Sequence, residues 1–277
     1  MAGGNILVTG ASTGIGRACA IHFARRGYRV YAGVRKPSDA EALKAEDSQY
    51  IEPVLLDVTR PESIAGALDV AGKEPLAGLV NNAGIAVTGP LELVSIERCR
   101  REFEVNVIGL VAVTQAFIPL LRRGPGRIVN IGSIAGRSAL PGSGAYDASK
   151  FAVEAITDAL RMELQPWGIS VSVIEPGATA TRIWEKSLVD VDDLSRQVSP
   201  EKYALYSGLM AKVRKEVTDS ARNAINVKEV VKAVEHAMIA RKPKTRYLVG
   251  RDARFWLLLN LLPDRWRDSL ILNKIYE

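Results

Sequence analysis

Cysteine and histidine are scarce in this chain of 277 residues, with two of each, and their placement excludes several chemistries. Cys19 and Cys99 fall within helical patterns, where reduced, buried thiols are expected in place of a disulfide framework. His22 and His236 belong to unrelated helical segments, and without a Cys/His cluster no metal site is expected. Long apolar runs are also missing. The most apolar stretch, near Phe255 to Leu262, is broken by Asn260 and falls short of the roughly 20 residues that span a bilayer. The first strand-like run, Asn5-Ile6-Leu7-Val8-Thr9, begins too soon for a secretory signal to precede it, so a cytoplasmic protein is expected. No linker and no internal repeat interrupts the chain. Its pI near 9.3 would suit nucleic acid, but the basic residues outside the C-terminal tail are dispersed and no recognition motif is present.

What is abundant is apolar residue, 47 % of the chain, enough for one sizeable core and one domain over 1–277. Strand patterns at Asn5–Gly10, Arg29–Gly33, Ile51–Leu56, Gly78–Asn81, Arg127–Ile131, Ser170–Ile174 and Arg246–Val249 alternate with helical ones, the longest at Ser95–Leu121 and Ala145–Gln165. Runs such as Ile128-Val129-Asn130-Ile131 are short and β-branched, as buried parallel strands should be. This alternation predicts an α/β fold: one doubly wound parallel sheet, Rossmann type, with helices on both faces. Ligands in such sheets bind beyond the carboxyl ends of the strands.

Two local patterns carry chemistry. The first strand runs into Gly10-Ala11-Ser12-Thr13-Gly14-Ile15-Gly16 and then a helix, so unpaired backbone N–H groups and the helix dipole face a prospective phosphate. The second is Tyr146-Asp147-Ala148-Ser149-Lys150, which sets a phenol and an ammonium on one helix face within about 5–6 Å. A cation beside a phenol lowers its pKa from about 10 toward the range of proton exchange, making the pair a candidate acid/base couple. Tyr and Lys at this spacing also occur on plain solvated helices.

Taken together these motifs resemble the classical short-chain dehydrogenases/reductases. Thr9 to Gly16 is similar to that family's cofactor turn, Asn81-Asn82-Ala83-Gly84 to its N-N-A-G signature, and Tyr146 to Lys150 to its Y-x-x-x-K. Asn106, Ser133 and Pro176-Gly177, with Thr179 and Thr181 behind, complete the pattern in the family's order. The resemblance is firm from Asn5 to about Thr181. It implies hydride transfer between a nicotinamide cofactor and an alcohol or carbonyl carbon, with Tyr146 exchanging the proton, Lys150 lowering the phenol's pKa and holding the ribose, and Ser133 bonding the substrate oxygen. Asn106 is expected to hold a water that passes protons from Lys150 to solvent. The cofactor is expected on Gly10, Ser12, Thr13, Gly14, Ile15, Gly16, Asn82, Ala83, Gly84, Pro176, Gly177, Thr179 and Thr181, besides Tyr146 and Lys150.

Cofactor preference turns on the end of the second strand. Where an NAD enzyme places an acid, this chain has Val34 followed by Arg35, whose guanidinium would pair with a 2′-phosphate, so NADP(H) is expected over NAD(H). Arg35 and Lys36 could equally be solvated residues at a strand exit. Asp57, with Val58 beside it, matches the position that bonds the adenine, or else caps the helix starting near Pro61.

Between 182 and 226 lies the family's substrate lid, here rich in apolar positions including Ile183, Trp184, Leu194, Tyr203, Leu205, Tyr206 and Met210. That content suggests a large apolar alcohol or ketone, steroid-, retinoid- or long-chain-like, although helices packed on the core would read the same way. The tail beyond Lys242 resembles retinol and 17β-hydroxysteroid dehydrogenases. From Arg241 to Glu277 nine Lys or Arg stand against four Asp or Glu, among many aromatic and leucine residues. Peripheral membrane contact would suit this composition, but a helix covering the substrate pocket or a neighbouring subunit is the preferred reading for 250–277. The apolar surplus on the two long helices implies a homodimer or homotetramer. Two other functions stay open: a ketoreductase of smaller polar or aromatic ketones, and a non-catalytic dinucleotide sensor or scaffold.

Overall fold

The computed structural model describes residues 3–46, 49–72 and 74–276, with side chains as far as residue 273. Met1, Ala2 and Glu277, the ends of the expected domain, lie outside the described residues. The chain runs β1 (Gly3–Val8), α1 (Gly14–Arg25), β2 (Tyr28–Val34), α2 (Pro37–Lys44), β3 (Ile51–Leu55), α3 (Pro61–Ala71) and β4 (Leu76–Asn81). It continues through α4 (Ile96–Phe103), a π turn (Glu104–Ile108), α5 (Gly109–Leu121), β5 (Arg127–Ile131), α6 (Gly144–Glu163) and β6 (Ser170–Pro176). Then come α7 (Ile183–Gln197), α8 (Pro200–Leu205), α9 (Ser207–Asn223), α10 (Val227–Ile239), β7 (Arg246–Val249), α11 (Arg251–Leu259) and α12 (Asp264–Tyr276).

All seven strands pair in parallel in the order β3-β2-β1-β4-β5-β6-β7. This is the doubly wound sheet expected from the sequence, and the order reverses direction between β1 and β4, which places a crevice beyond their carboxyl ends. One sheet face packs Phe23, Val30, Val230, Val234 and Met238 beneath α1 and α10. The other packs Leu79, Phe117, Leu121, Ile128 and Val171 beneath α3, α5 and α6. Sheet and helices are also pinned by a buried polar ladder. Asn81 Nδ2 donates to Thr114 Oγ1 and Asn130 Oδ1, each at 2.9 Å, and Asn130 Nδ2 donates to Thr157 Oγ1 at 2.9 Å.

The long helix expected over Ser95–Leu121 is continuous from Ile96, but its middle is a π turn. Such single turns insert one residue and re-aim side chains. Here the turn lets Asn106 reach across to the β4 exit, and a Cβ on Gly109 would lie 2.6 Å from Val58 Cγ2, so only glycine permits the approach. Among the described residues this is the one helix long and apolar enough to cross a membrane, which the apolar-run estimate overlooked. Half of its apolar window is buried within the fold.

Candidate active site

The turn after β1 is shaped by backbone geometry. Gly10 and Gly14 sit at φ +64° and +58°, where glycine alone is unstrained. Thr13 precedes α1 without a side-chain cap, and no acid stands in the first turn, which leaves the N-terminal N–H groups for an anion. Gly16 is set back from the cavity: a Cβ there would lie 2.4 Å from Gly10 O and Asn82 Nδ2, so this glycine packs helix against turn. Asn82 braces the same turn, its Nδ2 donating to Thr9 O at 3.0 Å and Gly10 O at 3.1 Å. Thr9 Oγ1 in return accepts from the N–H groups of Asn82 and Ala83. Thr9 opens the turn motif read in the sequence, but its bracing of Asn82 and Ala83 gives no local signal.

A continuous cavity of about 440 Å³ opens from this turn along the strand ends. At one end it is lined by Gly10, Ser12, Thr13, Gly14, Ile15, Val34, Arg35, Asp57 and Val58; in the middle by Asn82, Ala83 and Gly84; and beyond by Ser133, Tyr146, Lys150, Pro176, Gly177, Thr179 and Thr181. The positive-φ glycines, the uncapped helix end and this elongated groove fit a dinucleotide. Asp57 does not cap α3. Its Oδ1 accepts from Thr59 N–H at 3.0 Å and Thr59 Oγ1 at 2.7 Å, while Arg60 occupies the cap position without a side-chain bond. Burial pushes the Asp57 carboxyl up, but the Thr59 bonds and the nearby Arg35 and Arg60 charges hold it below the usual range. Arg35 itself is exposed at the mouth.

Ser133, Tyr146 and Lys150 meet at the far end. Ser133 ends the turn after β5 and hydrogen-bonds Tyr146. Lys150 is buried, with Nζ 5.7 Å from the Tyr146 ring centre, and donates to Ile131 O at 2.9 Å. The lowering of the phenol's pKa expected from Lys150 is outweighed here by burial. Burial drives the Tyr146 pKa above its ordinary value, with the Ser133 bond opposing and the Asp147 and Glu102 charges adding. Burial also brings the Lys150 pKa down to about 8, against the pull of Glu102 and Glu154.

Asn106 is absent from the cavity wall. Its Oδ1 accepts from Ile85 N–H at 2.9 Å, and its Nδ2 donates to Ile85 O at 2.9 Å and Ser149 Oγ at 3.0 Å. The amide therefore staples the β4 exit to α6. Within the Tyr-Lys motif, Asp147 was given no role from sequence. Its Oδ2 accepts from Leu140 N–H and Ser143 Oγ, both at 2.8 Å, fixing the loop between Ser133 and Tyr146, and burial pushes its carboxyl up to about 7. Asp252, likewise unassigned, opens α11 and accepts from Ala178 N–H at 2.6 Å, where a Cβ on Gly177 would clash.

The segment expected as the lid folds into α7, α8 and α9. Leu194 and Met210, with Leu93 and Val191, form its own small core, packed by Tyr203 and Tyr206, while Leu205 is 76 % exposed. Much of the apolar content that suggested a substrate surface is therefore taken up by the lid itself. What faces the cavity is Ile183, Trp184, Val213 and Val217, joined by Val87, Leu140 and Pro141 from the core and by Trp256 from α11. Trp184 is fixed by its Nε1 donating to Thr179 O at 2.7 Å. The tail thus does cover the pocket in part, with Asn260 Nδ2 donating to Arg137 O at 2.6 Å.

A family profile described as short chain dehydrogenase matches residues 4–191. Retinol dehydrogenase 7 of Mus musculus is 36 % identical, covering 96 % of this chain and 87 % of its own. The 17-beta-hydroxysteroid dehydrogenase type 6 of Rattus norvegicus is 36 % identical over the same two shares, 96 % and 87 %. An NADPH-dependent 3-dehydrocapnine reductase of Ornithobacterium rhinotracheale is 36 % identical, covering 97 % and 96 %. Among solved structures, a short chain dehydrogenase of Burkholderia cenocepacia in complex with NADP has a TM-score of 0.75 at 30 % identity, covering 98 % of each chain.

Proposed function

The chain belongs to the short-chain dehydrogenase family, in its retinol and 17β-hydroxysteroid dehydrogenase-like branch, and from that premise we propose an NADP(H)-dependent oxidoreductase that interconverts an apolar alcohol and its ketone or aldehyde. The observation that carries this reading is the meeting of Ser133, Tyr146 and Lys150 at one end of a groove whose other end is the glycine turn. When bound, the dinucleotide supplies or accepts the hydride at the substrate carbon. Tyr146 gives its phenolic proton to the substrate oxygen in reduction and takes it back in oxidation. Ser133, already bonded to Tyr146, stabilises charge on that oxygen. Lys150, anchored on Ile131 O, holds the ribose and feeds the phenol a proton.

Preference for NADP(H) rests on Arg35 at the groove mouth, on a buried Val34 where an acid would repel a 2′-phosphate, and on the NADPH-dependent relative. An apolar substrate fits walls of Val87, Leu140, Trp184, Val213, Val217 and Trp256. We extend the proposal to self-association through the helix Ile96–Leu121 and α6, where Ile108, on the π turn, and Phe151 and Met162, on α6, are exposed.

The test is absorbance at the nicotinamide band with NADPH and a panel of apolar ketones and aldehydes, run beside Tyr146→Phe. Turnover by the wild type and a loss of about 100-fold or more in the variant, with NADPH binding retained, is expected. Equal inactivity of both, with NADPH bound, would replace this reading by a dinucleotide-binding protein without turnover.

A further inference from the structure

The turn that carries Ser133 is held from behind by a cluster of charged groups that the mechanism above leaves unused. After Ser133 the chain makes one tight helical turn, Ile134–Gly136, with Gly136 N–H donating to Ser133 O and Arg137 N–H to Ile134 O, both at 2.9 Å. Arg137 closes this turn and is tied twice. Its Nη1 donates to Glu175 Oε1 at 3.2 Å, and its carbonyl accepts from Asn260 Nδ2 at 2.6 Å. Glu175 is 2 % exposed and stands on β6 just before Pro176 and Gly177, which line the groove. From the other side Arg246 of β7 reaches Glu175 Oε1 at 3.5 Å, Glu154 Oε2 at 3.1 Å and Asp158 Oδ2 at 2.6 Å. Glu154 is buried on α6, one helical turn after Lys150, and lies against the serine turn: a Cβ on Gly132 would come within 3.2 Å of its Oε1, and one on Gly136 within 3.2 Å of its Cγ. Burial and the neighbouring Glu175 charge push the Glu154 carboxyl up, against the pull of Arg246 and Arg137.

Buried charged groups add little stability over apolar packing of the same volume, because desolvation offsets their attraction. What they supply is direction, since each charge-assisted bond fixes where its two ends stand. Here the ends are the serine turn, the exit of β6 and the helix of Tyr146 and Lys150, three elements that must converge on one substrate oxygen. β6 is paired along both edges and α6 packs on the sheet, whereas the turn is a short loop between β5 and α6. The turn is therefore the piece whose placement depends on the cluster. Resting on the reading of Ser133 and Tyr146 as the groups that meet the substrate oxygen, we infer that Arg137 is a positioning residue for Ser133, its bonds to Glu175 and Asn260 setting the serine hydroxyl where the reacting oxygen stands. Asn260 ends α11, so the tail takes part in holding the turn.

Ketone reduction is followed in single turnover, with enzyme and NADPH in excess over ketone so that slow variants are measured, for wild type, Arg137→Met, Ser133→Ala and the double variant. Arg137→Met should lower the rate about tenfold with Kd for NADPH within about twofold of wild type, and Arg137→Lys, which keeps a charge for Glu175, should recover most of the loss. Ser133→Ala should lower the rate about 100-fold. On that background R137M should cost less than about twofold, because the group it positions is already gone. Asn260→Ala frees the same turn from the tail and should give a loss of about threefold that also vanishes beside S133A, which serves if R137M does not fold. An active wild type whose rate is matched by R137M, or an equal proportional loss with and without Ser133, would overturn this inference alone; where only N260A folds, the same two results for that variant do so. A wild type without turnover would overturn both this inference and the reading beneath it.

Discussion

Lys150 Nζ donates to the carbonyl of Ile131 at 2.9 Å, which ties the ammonium of α6 to the last residue of β5. The cation is thereby positioned by the sheet itself, at the strand end next to Ser133, and not by the tyrosine one turn away. The same arrangement buries it, which is why its pKa comes down to about 8.

Cofactor preference gives a first prediction. A charge-assisted pair with a 2′-phosphate is worth roughly 1.5–3 kcal/mol, so Arg35→Ala should reduce the NADPH-over-NADH ratio of kcat/KM about 10- to 100-fold. The NADH value itself should change little. Parallel steady-state titrations of both cofactors check this, and an unchanged ratio would remove the 2′-phosphate argument.

Asp252 should matter to cofactor affinity although it lies on the tail. It accepts from Ala178 N–H at 2.6 Å and fills the space a Cβ on Gly177 would need. Asp252→Ala should release the 176–178 loop and raise KM for NADPH about tenfold, with a smaller effect on ketone KM. Gly177→Ala should do the same by collision. Fluorescence titration of bound NADPH reports either change.

Stability should fall as pH rises across neutrality. Asp147 and Glu102 have folded-state pKa values pushed up by burial, to about 7 and about 8, from ordinary values of 3.8 and 4.5. Between those limits the folded protein holds protons that the unfolded chain has lost, so unfolding free energy declines with pH. Each group contributes a slope of about 1.4 kcal/mol per pH unit at most. Lys150 acts oppositely above pH 8, because its folded-state value lies below 10.5. Urea midpoints measured from pH 5 to 8 should therefore decrease, and Asp147→Asn should flatten the decrease below pH 7. A midpoint that rises with pH over this range would contradict the burial of these carboxyls.

The polar ladder across β4 and β5 gives the last prediction. Asn130 is 0 % exposed and joins Asn81 to Thr157. Asn130→Ala should remove one bond from each partner, Asn81 keeping Thr114 and Thr157 keeping Val153 O, and cost about 1–3 kcal/mol in all. Calorimetry should register a Tm lower by several degrees, with NADPH affinity of the folded fraction retained.

The residues of the groove were largely legible because the cofactor turn and the Tyr-Lys helix are local patterns. Each depends on a few consecutive residues whose backbone conformation or helical spacing is written in the sequence. Asn106 was also legible as a position, but its bonds to Ile85 and Ser149 were not. A π turn is set by what its side chain can reach, and Ile85 and Ser149 are remote along the chain. Asp252 was given no role for the same reason, since it acts on a backbone brought near by folding. The lid shows the limit from the other side. Leu194, Tyr203 and Met210 read as a substrate surface, and the tertiary packing uses them to hold α7, α8 and α9 together.

The sequence by itself determined the strand-helix alternation, the glycine turn at the switch of strand order and the face shared by Tyr146 and Lys150, because periodicity and backbone freedom are properties of neighbouring residues. Only the tertiary structure decided which groups are buried beside one another. Burial raises the pKa values of Tyr146, Asp147 and Glu102 and lowers that of Lys150, for desolvation depends on everything packed around a charge and on nothing in its immediate sequence.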